Sequence, residues 1–299
     1  MSKADTGAQT PLRIGIIGGS GLYAMEGLQD VWREQVDTPF GEPSGDYLIG
    51  RLEGVPGVEL VFLPRHGEGH RLNPSEVPYR ANIFGMKVLG VSWIISISAV
   101  GSLQEEVVPG HMVIIDQFID RTKGRPSTFF DNGIVAHVGF GDPVCGTLRQ
   151  YLLEATREAG ATVHDGGTYV CMEGPAFSTR AESNLYRSWG AKVIGMTNLP
   201  EAKLAREAEI SYATVAMSTD YDCWHEGHDD VTVEQVVAVA RANVAVAKQI
   251  IRNTIPKIAA HEGPAPMSSA LAGAIMTAPS AIPPARRDDL DPLVRKYLD

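Results

Sequence analysis

Short apolar runs recur along this chain, and each stops at glycine or at a cluster of small polar residues. Arg13 to Ile17 runs into Gly18-Gly19-Ser20-Gly21, and Leu60-Val61-Phe62-Leu63 into Pro64-Arg65-His66-Gly67. Trp93 to Ala99 is followed by Gly101-Ser102, Val193 to Met196 by Thr197-Asn198, and Tyr212 to Met217 by Ser218-Thr219-Asp220. His111 to Ile115 and Thr168 to Met172 have the same strand-like character. A strand that is apolar at successive positions has no face to give to water, so it belongs inside a sheet covered on both sides. The spacers between the runs hold helical patterns. Leu148, Tyr151, Leu152 and Ala155 share one face of Thr147 to Gly160, and Ser178 to Trp189 also reads as a helix. Pro78 and Pro200 suit first helical turns, Asn198 suits an N-cap, and Thr232 with Gln235 fits a capping box opening a long helix to about Ile255.

Alternating strands and helices predict an α/β/α fold around a mostly buried mixed sheet. A chain of 299 residues fits one large domain, here residues 12–260, after a flexible lead of residues 1–11. Residues 261–299 turn rich in Ala and Pro; Ser268 to Met276 reads as a short helix, and the segment is expected to pack on the body, near the 5′ side of the ligand, or on a neighbouring subunit. Apolar residues at 44% supply a full core, and no run reaches the roughly 20 residues that span a bilayer. The formal charge is −10, the reverse of a phosphate-neutralising nucleic-acid binder. No secretory leader is visible, and the three cysteines, Cys145, Cys171 and Cys223, form no C-x-x-C pair. A cytoplasmic protein without nucleic-acid or membrane partners is expected.

Ligands of α/β sheets gather beyond the carboxyl ends of strands, and here five such ends are polar. The loop Gly19-Ser20-Gly21-Leu22-Tyr23-Ala24 fits a dinucleotide fingerprint, but Gly27 interrupts the helix that should follow. A glycine loop whose amides grip a smaller anion fits better. Arg65 offers a fork to phosphate oxygens and His66 a donor, with Ser98, the Ala99 amide and Thr197 beside them; an ordinary salt bridge is the alternative for Arg65. His66-Gly67-Glu68-Gly69-His70 has zinc-like spacing, but its two glycines make the required helix poor, so no metal is expected. Asp220 and Asp222 can point to one side of a strand end, one accepting from an amino group and the other, its pKa raised by burial, donating a proton; a solvated acidic turn is the alternative.

Five segments together resemble the trimeric purine nucleoside phosphorylases, and within them the branch that acts on S-methyl-5′-thioadenosine. They are Ile16-Ile17-Gly18-Gly19-Ser20-Gly21-Leu22, Pro64-Arg65-His66-Gly67, Asp116-Gln117-Phe118-Ile119-Asp120-Arg121-Thr122, Glu173-Gly174-Pro175-Ala176-Phe177-Ser178 and Gly195-Met196-Thr197-Asn198-Leu199-Pro200-Glu201. The resemblance covers about residues 13 to 258. It implies a pentosyltransferase that splits methylthioadenosine with phosphate, releasing adenine and 5-methylthioribose 1-phosphate, in methionine and purine salvage after polyamine synthesis. It further implies no cofactor, phosphate as co-substrate, and a homotrimer or a dimer of trimers.

By the same resemblance, Ser20, Arg65, His66, Ser98, Ala99 and Thr197 hold phosphate, Met196 lies on the ribose and Phe177 by the base. Asp220 and Asp222 face the adenine edge, with Asp220 as proton donor. Val233 and His70 lie toward the 5′ group, and His137 reaches a neighbouring subunit's site. Oxopurine-specific relatives carry Asn at the position of Asp220 and Glu at that of Ser178, so this chain's Asp and Ser favour adenine. The rival expectations are a phosphorylase of other purine nucleosides or methylthioinosine, and a nucleotide-binding module without catalysis.

Overall fold

Ile14 and Ile16 of the first strand, β1 (Leu12–Gly18), pack into one apolar cluster and Ile17 into another, so this strand is covered on both faces. The computed structural model describes residues 10–225 and 233–298. β1 pairs in parallel with β4 (Val58–Pro64) and with β5 (Val91–Ser102). Beyond β4 lie two antiparallel strands, β3 (Tyr47–Leu52) and, at the edge, β2 (Leu28–Glu34). On the other side of the sheet come β10 (Val193–Gly195), β9 (Thr168–Met172) and β7 (Gln117–Arg121). β11 (Ser211–Asp220) runs parallel to β5 and leads on to β6 (Met112–Ile114) and β8 (Val163–Asp165). The sheet is mixed, as expected.

Two helical layers cover it. Ile17, Tyr47 and Val100 pack with α1 (Tyr79–Val88), α4 (Asn198–Glu207) and α7 (Asp291–Leu298). Ile14, Phe62 and Ile95 pack with α2 (Gly146–Glu158) and α5 (Val233–Ala259). A smaller cluster of Leu103, Val170, Tyr186 and Trp224 seats α3 (Arg180–Ser188). Thr179 caps α3 in a reciprocal capping box with Glu182, which fixes where the chain leaves the 173–178 loop.

Several local expectations are corrected. β2, β3, β7 and β8 escaped the sequence reading because charged or polar residues or a glycine break up their apolar residues. Ser268 to Met276 is a series of turns, closed by an antiparallel bridge between Ala136 and Ile275. The tail instead forms α6 (Pro284–Asp289) and α7, which bury Leu290, Leu293 and Val294 in the same core as α1 and α4. Asn198 caps nothing: it is fully buried, and Leu199 is extended (φ −121°, ψ 135°), so regular helix begins at Pro200. The Thr232–Gln235 capping box lies outside the described residues. Among the described residues no helix is long and apolar enough to cross a membrane.

Candidate active site

The site starts from a gap in the sheet. β1 leaves β5 after Ser96, and β10 joins the same edge only at Gly101. Between them, residues 97–100 of β5 pair with no strand on that edge among the described residues, which leaves a notch there; the Ile97 carbonyl is taken by Arg65 and the Val100 carbonyl by Thr219. Ser98 and Thr197 line this notch from β5 and from the turn after β10, and both are buried, while Ala99 is exposed. Ser98 Oγ lies 3.3 Å from the Tyr169 hydroxyl.

Arg65, the residue after β4, enters the notch from below. Its guanidinium is 3% exposed and grips Glu201 of α4 in a two-point ion pair, Nε to Oε2 at 2.8 Å and Nη2 to Oε1 at 2.9 Å. Nη2 also donates to Ser96 Oγ (2.7 Å) and Nη1 to the Ile97 carbonyl (3.1 Å). Burial opposes the charge, but Glu201 more than offsets it and raises the Arg65 pKa. The salt-bridge alternative is therefore the arrangement found. The charge is neutralised within the protein, and among the described residues one Nη1 hydrogen is left without an acceptor.

His66 differs from expectation in its protonation. Its Nδ1 lies 2.9 Å from the Leu72 carbonyl, which can only accept, so Nδ1 carries the hydrogen. Burial is the main cause that pulls its pKa down to about 4. At neutral pH Nε2 therefore presents a lone pair, which complements the P–OH of hydrogen phosphate rather than a bare oxyanion. The ring stacks on His70 at 4.2 Å between centroids, which brings these two residues together.

At the end of β11 the two carboxylates occupy unlike surroundings. Asp220 Oδ2 accepts from Thr219 Oγ1 (2.7 Å) and Oδ1 from the Asp222 amide (2.8 Å), while burial raises its pKa. Gly101 makes room for it: a Cβ there would stand 2.9 Å from Asp220 Oδ1. Asp222 is buried in a left-handed conformation (φ 52°) beside the Ser183 and Ser178 hydroxyls, and among the described residues its Oδ2 lacks a well-aligned hydrogen-bond partner. Burial first, and then the Asp220 charge, push its pKa up to about 6, while Ser183 and Ser178 pull the other way. An orphaned buried carboxylate oxygen is costly unless a ligand donor meets it.

Ser98 and Gly101 are three residues apart on one strand, roughly 10 Å at about 3.3 Å per residue. That separation leaves a sugar's width between the donor-lined notch and the acidic pair. Met196, half-buried, lies against Gly174, whose added Cβ would meet Met196 Sδ at 2.5 Å. Ser178 is buried, its carbonyl accepting from Cys223 Sγ (3.3 Å), and Phe177 is 45% exposed beside it. His137 is exposed and is tied only through its backbone, which donates to Ala274. Ser20 sits in the 3-10 turn after β1, and Val233 opens α5; their side chains lie outside what is described.

Residues that sequence reasoning missed hold these walls together. Arg125 is buried and donates to the carbonyls of Met196 (2.6 Å), Leu199 (2.9 Å) and Glu173 (2.6 Å), tying the 173–178 loop to the turn that carries Thr197. Asn198 Nδ2 donates to the Tyr212 and Thr214 hydroxyls below the notch. Only the Asp-Arg-Thr segment before Arg125 and the Glu at 201 within Asn198-Leu199-Pro200-Glu201 hinted at them, and neither said what they touch.

A notch of buried donors at one strand end and paired carboxylates at the next could hold an anion and a basic heterocycle side by side. The chain belongs to the phosphorylase superfamily, whose sequence model matches residues 13–256. A Geobacter sulfurreducens protein named S-methyl-5′-thioadenosine phosphorylase is 63% identical over 286 residues, 95% of this chain and 99% of its own. A Thermosynechococcus vestitus protein of the same name is 56% identical, over 96% and 99%. The crystal structure of a methylthioadenosine phosphorylase from an Antarctic soil metagenomic library matches with a TM-score of 0.90 at 48% identity, covering 96% of this chain and all of its own. A mutant adenosine/methylthioadenosine phosphorylase of Schistosoma mansoni, solved with methylthioadenosine, matches at 0.77 and 38% identity, over 84% and 93%.

Proposed function

We propose that this protein is an S-methyl-5′-thioadenosine phosphorylase: it transfers the methylthioribosyl group from adenine to phosphate, releasing adenine and 5-methylthioribose 1-phosphate. The observation that carries this reading is the close-set Asp220 and Asp222 at the end of β11, both held above the usual carboxylate range by burial. Adenine presents an N6 amino donor beside an N7 acceptor. Asp222 Oδ2 accepts from the first, and Asp220, whose pKa is raised by burial, delivers a proton to the second. A 6-oxopurine turns an acceptor toward the same oxygen, and a buried site mismatched in this way can discriminate by roughly 10⁴-fold or more.

In the reaction the C1′–N9 bond breaks with its electron pair going to the base, while the Asp220 proton moves to N7 and neutralises the leaving group. A phosphate oxygen then forms the new bond to C1′. Summed over a turnover, the proton of hydrogen phosphate ends on adenine. Ser20, Ser98, the Ala99 amide, Thr197 and the remaining Arg65 hydrogen hold the phosphate, and His66 Nε2 accepts from its P–OH. Met196 covers the ribose, Phe177 and Ser178 the base, and His70 and Val233 the 5′ group. His137 serves the site of a neighbouring copy in a homotrimer or a dimer of trimers; its exposure, with Val135 and Met276 also exposed beside it, supports that reading. The reaction takes no cofactor, and the enzyme works in the cytoplasm on small molecules. The test is release of adenine from methylthioadenosine, adenosine and inosine with and without phosphate. Phosphate-dependent release, fastest from methylthioadenosine, is expected; release that ignores phosphate, or that favours inosine, overturns the reading.

A further inference from the structure

Tyr169 lies on β9, and β10 stands between it and β5. Its phenol nevertheless reaches Ser98 on β5, because β10 carries Gly195 at the crossing: a Cβ there would stand 2.0 Å from the phenol oxygen. The glycine is a window through the middle strand. The ring is fully buried and packed edge-on against Phe118, with centroids 5.7 Å apart.

The hydrogens can then be counted. Burial keeps the phenol protonated. Its single hydrogen has one neighbouring acceptor, Ser98 Oγ. If Tyr169 donates to that oxygen, the serine cannot point its own hydrogen back; it is left for the anion in the notch, in exchange for the long 3.4 Å contact to the Ala99 carbonyl. Chains of this kind polarise each other.

We propose that Tyr169 is a positioning residue for phosphate: seated through the Gly195 window, it donates to Ser98 and so forces Ser98 to present its hydrogen to the anion. This rests on the phosphorylase reading, and the test separates the two. Inorganic phosphate is titrated calorimetrically into wild-type protein and Tyr169→Phe, which keeps the ring packing, and phosphate KM, nucleoside KM and Tm are measured for both. Tyr169→Phe is expected to weaken phosphate about three- to tenfold, as loss of one hydrogen bond does, with nucleoside KM unchanged. On a Ser98→Ala background the same change should have no further effect, because the two act as one unit. Phosphate affinity in Tyr169→Phe within twofold of wild type, or losses that multiply in the double variant, would overturn the proposal. Wild-type protein that binds phosphate but releases no adenine would instead sink the functional reading and leave Tyr169 testable by titration.

Discussion

Replacing Glu201 by Gln isolates the ion pair beneath the phosphate notch. The wild-type carboxylate accepts four hydrogen bonds: Oε2 from Arg65 Nε (2.8 Å), and Oε1 from Arg65 Nη2 (2.9 Å), Ser96 Oγ (3.0 Å) and Tyr212 OH (2.8 Å). A glutamine that keeps its carbonyl at Oε1 retains three of these. Its amide then meets Arg65 Nε–H with a donor where an acceptor stood, and the guanidinium is left buried without a counter-charge. With side chains only 3% and 2% exposed, solvent cannot compensate. Leaving one partner of such a pair alone costs about 3–5 kcal/mol, a large part of the ~5–15 kcal/mol that holds a domain together. For a chain of this size that lowers Tm by about 6–10 °C. Thermal and urea melts of wild type, Glu201→Gln and the double variant Arg65→Met with Glu201→Met test it. The double variant should melt above Glu201→Gln, since it buries no lone charge. A Glu201→Gln melting within 2 °C of wild type would refute the claim that this pair fastens α4 to the β4–β5 floor.

Asp220→Asn should cut turnover of methylthioadenosine by about 10²–10⁴, the usual worth of general acid help, and shift preference toward inosine-type bases; unchanged adenine-nucleoside kinetics would count against the role given to Asp220. Gly101→Ala should push the Asp220 carboxylate out of line and lower kcat by up to about 10²-fold, read by steady-state kinetics with circular dichroism as the check on folding. Glu207 accepts from Thr128 Oγ1 and the Phe129 amide, both at 2.7 Å, yet burial pushes its pKa from 4.5 up to about 7. The folded state therefore binds this proton more tightly than the unfolded chain, and the resulting stability is present below about pH 4.5 and lost as pH rises through about 7. Glu207→Gln, which cannot ionise, should gain Tm relative to wild type between pH 5 and pH 8; a wild type that gains on the variant over that range would reverse the sign.

Much of the central sheet was legible because buried strands leave a local mark. β1, β4, β5 and β11 are apolar on both sides and end abruptly, and the residues at their ends carried the chemistry that named the site. The edge strand β2 mixes Trp32 with Asp30 and Arg33, since one side meets water, and so left no such mark. α6 and α7 hid behind a Pro-rich stretch whose composition suggested a loose tail.

The chain by itself therefore decided the class of fold, the kinds of groups at the strand ends and the family they resemble, since period and residue type are local properties. It did not decide that Arg65 meets Glu201, 136 positions away, or that His66 gives its hydrogen to Leu72. Nor did it reveal the unpaired edge at residues 97–100 or the Gly195 window that lets Tyr169 reach Ser98. Those depend on strand order and on where one strand leaves an edge before the next arrives, and only the assembled sheet sets which donor faces which acceptor.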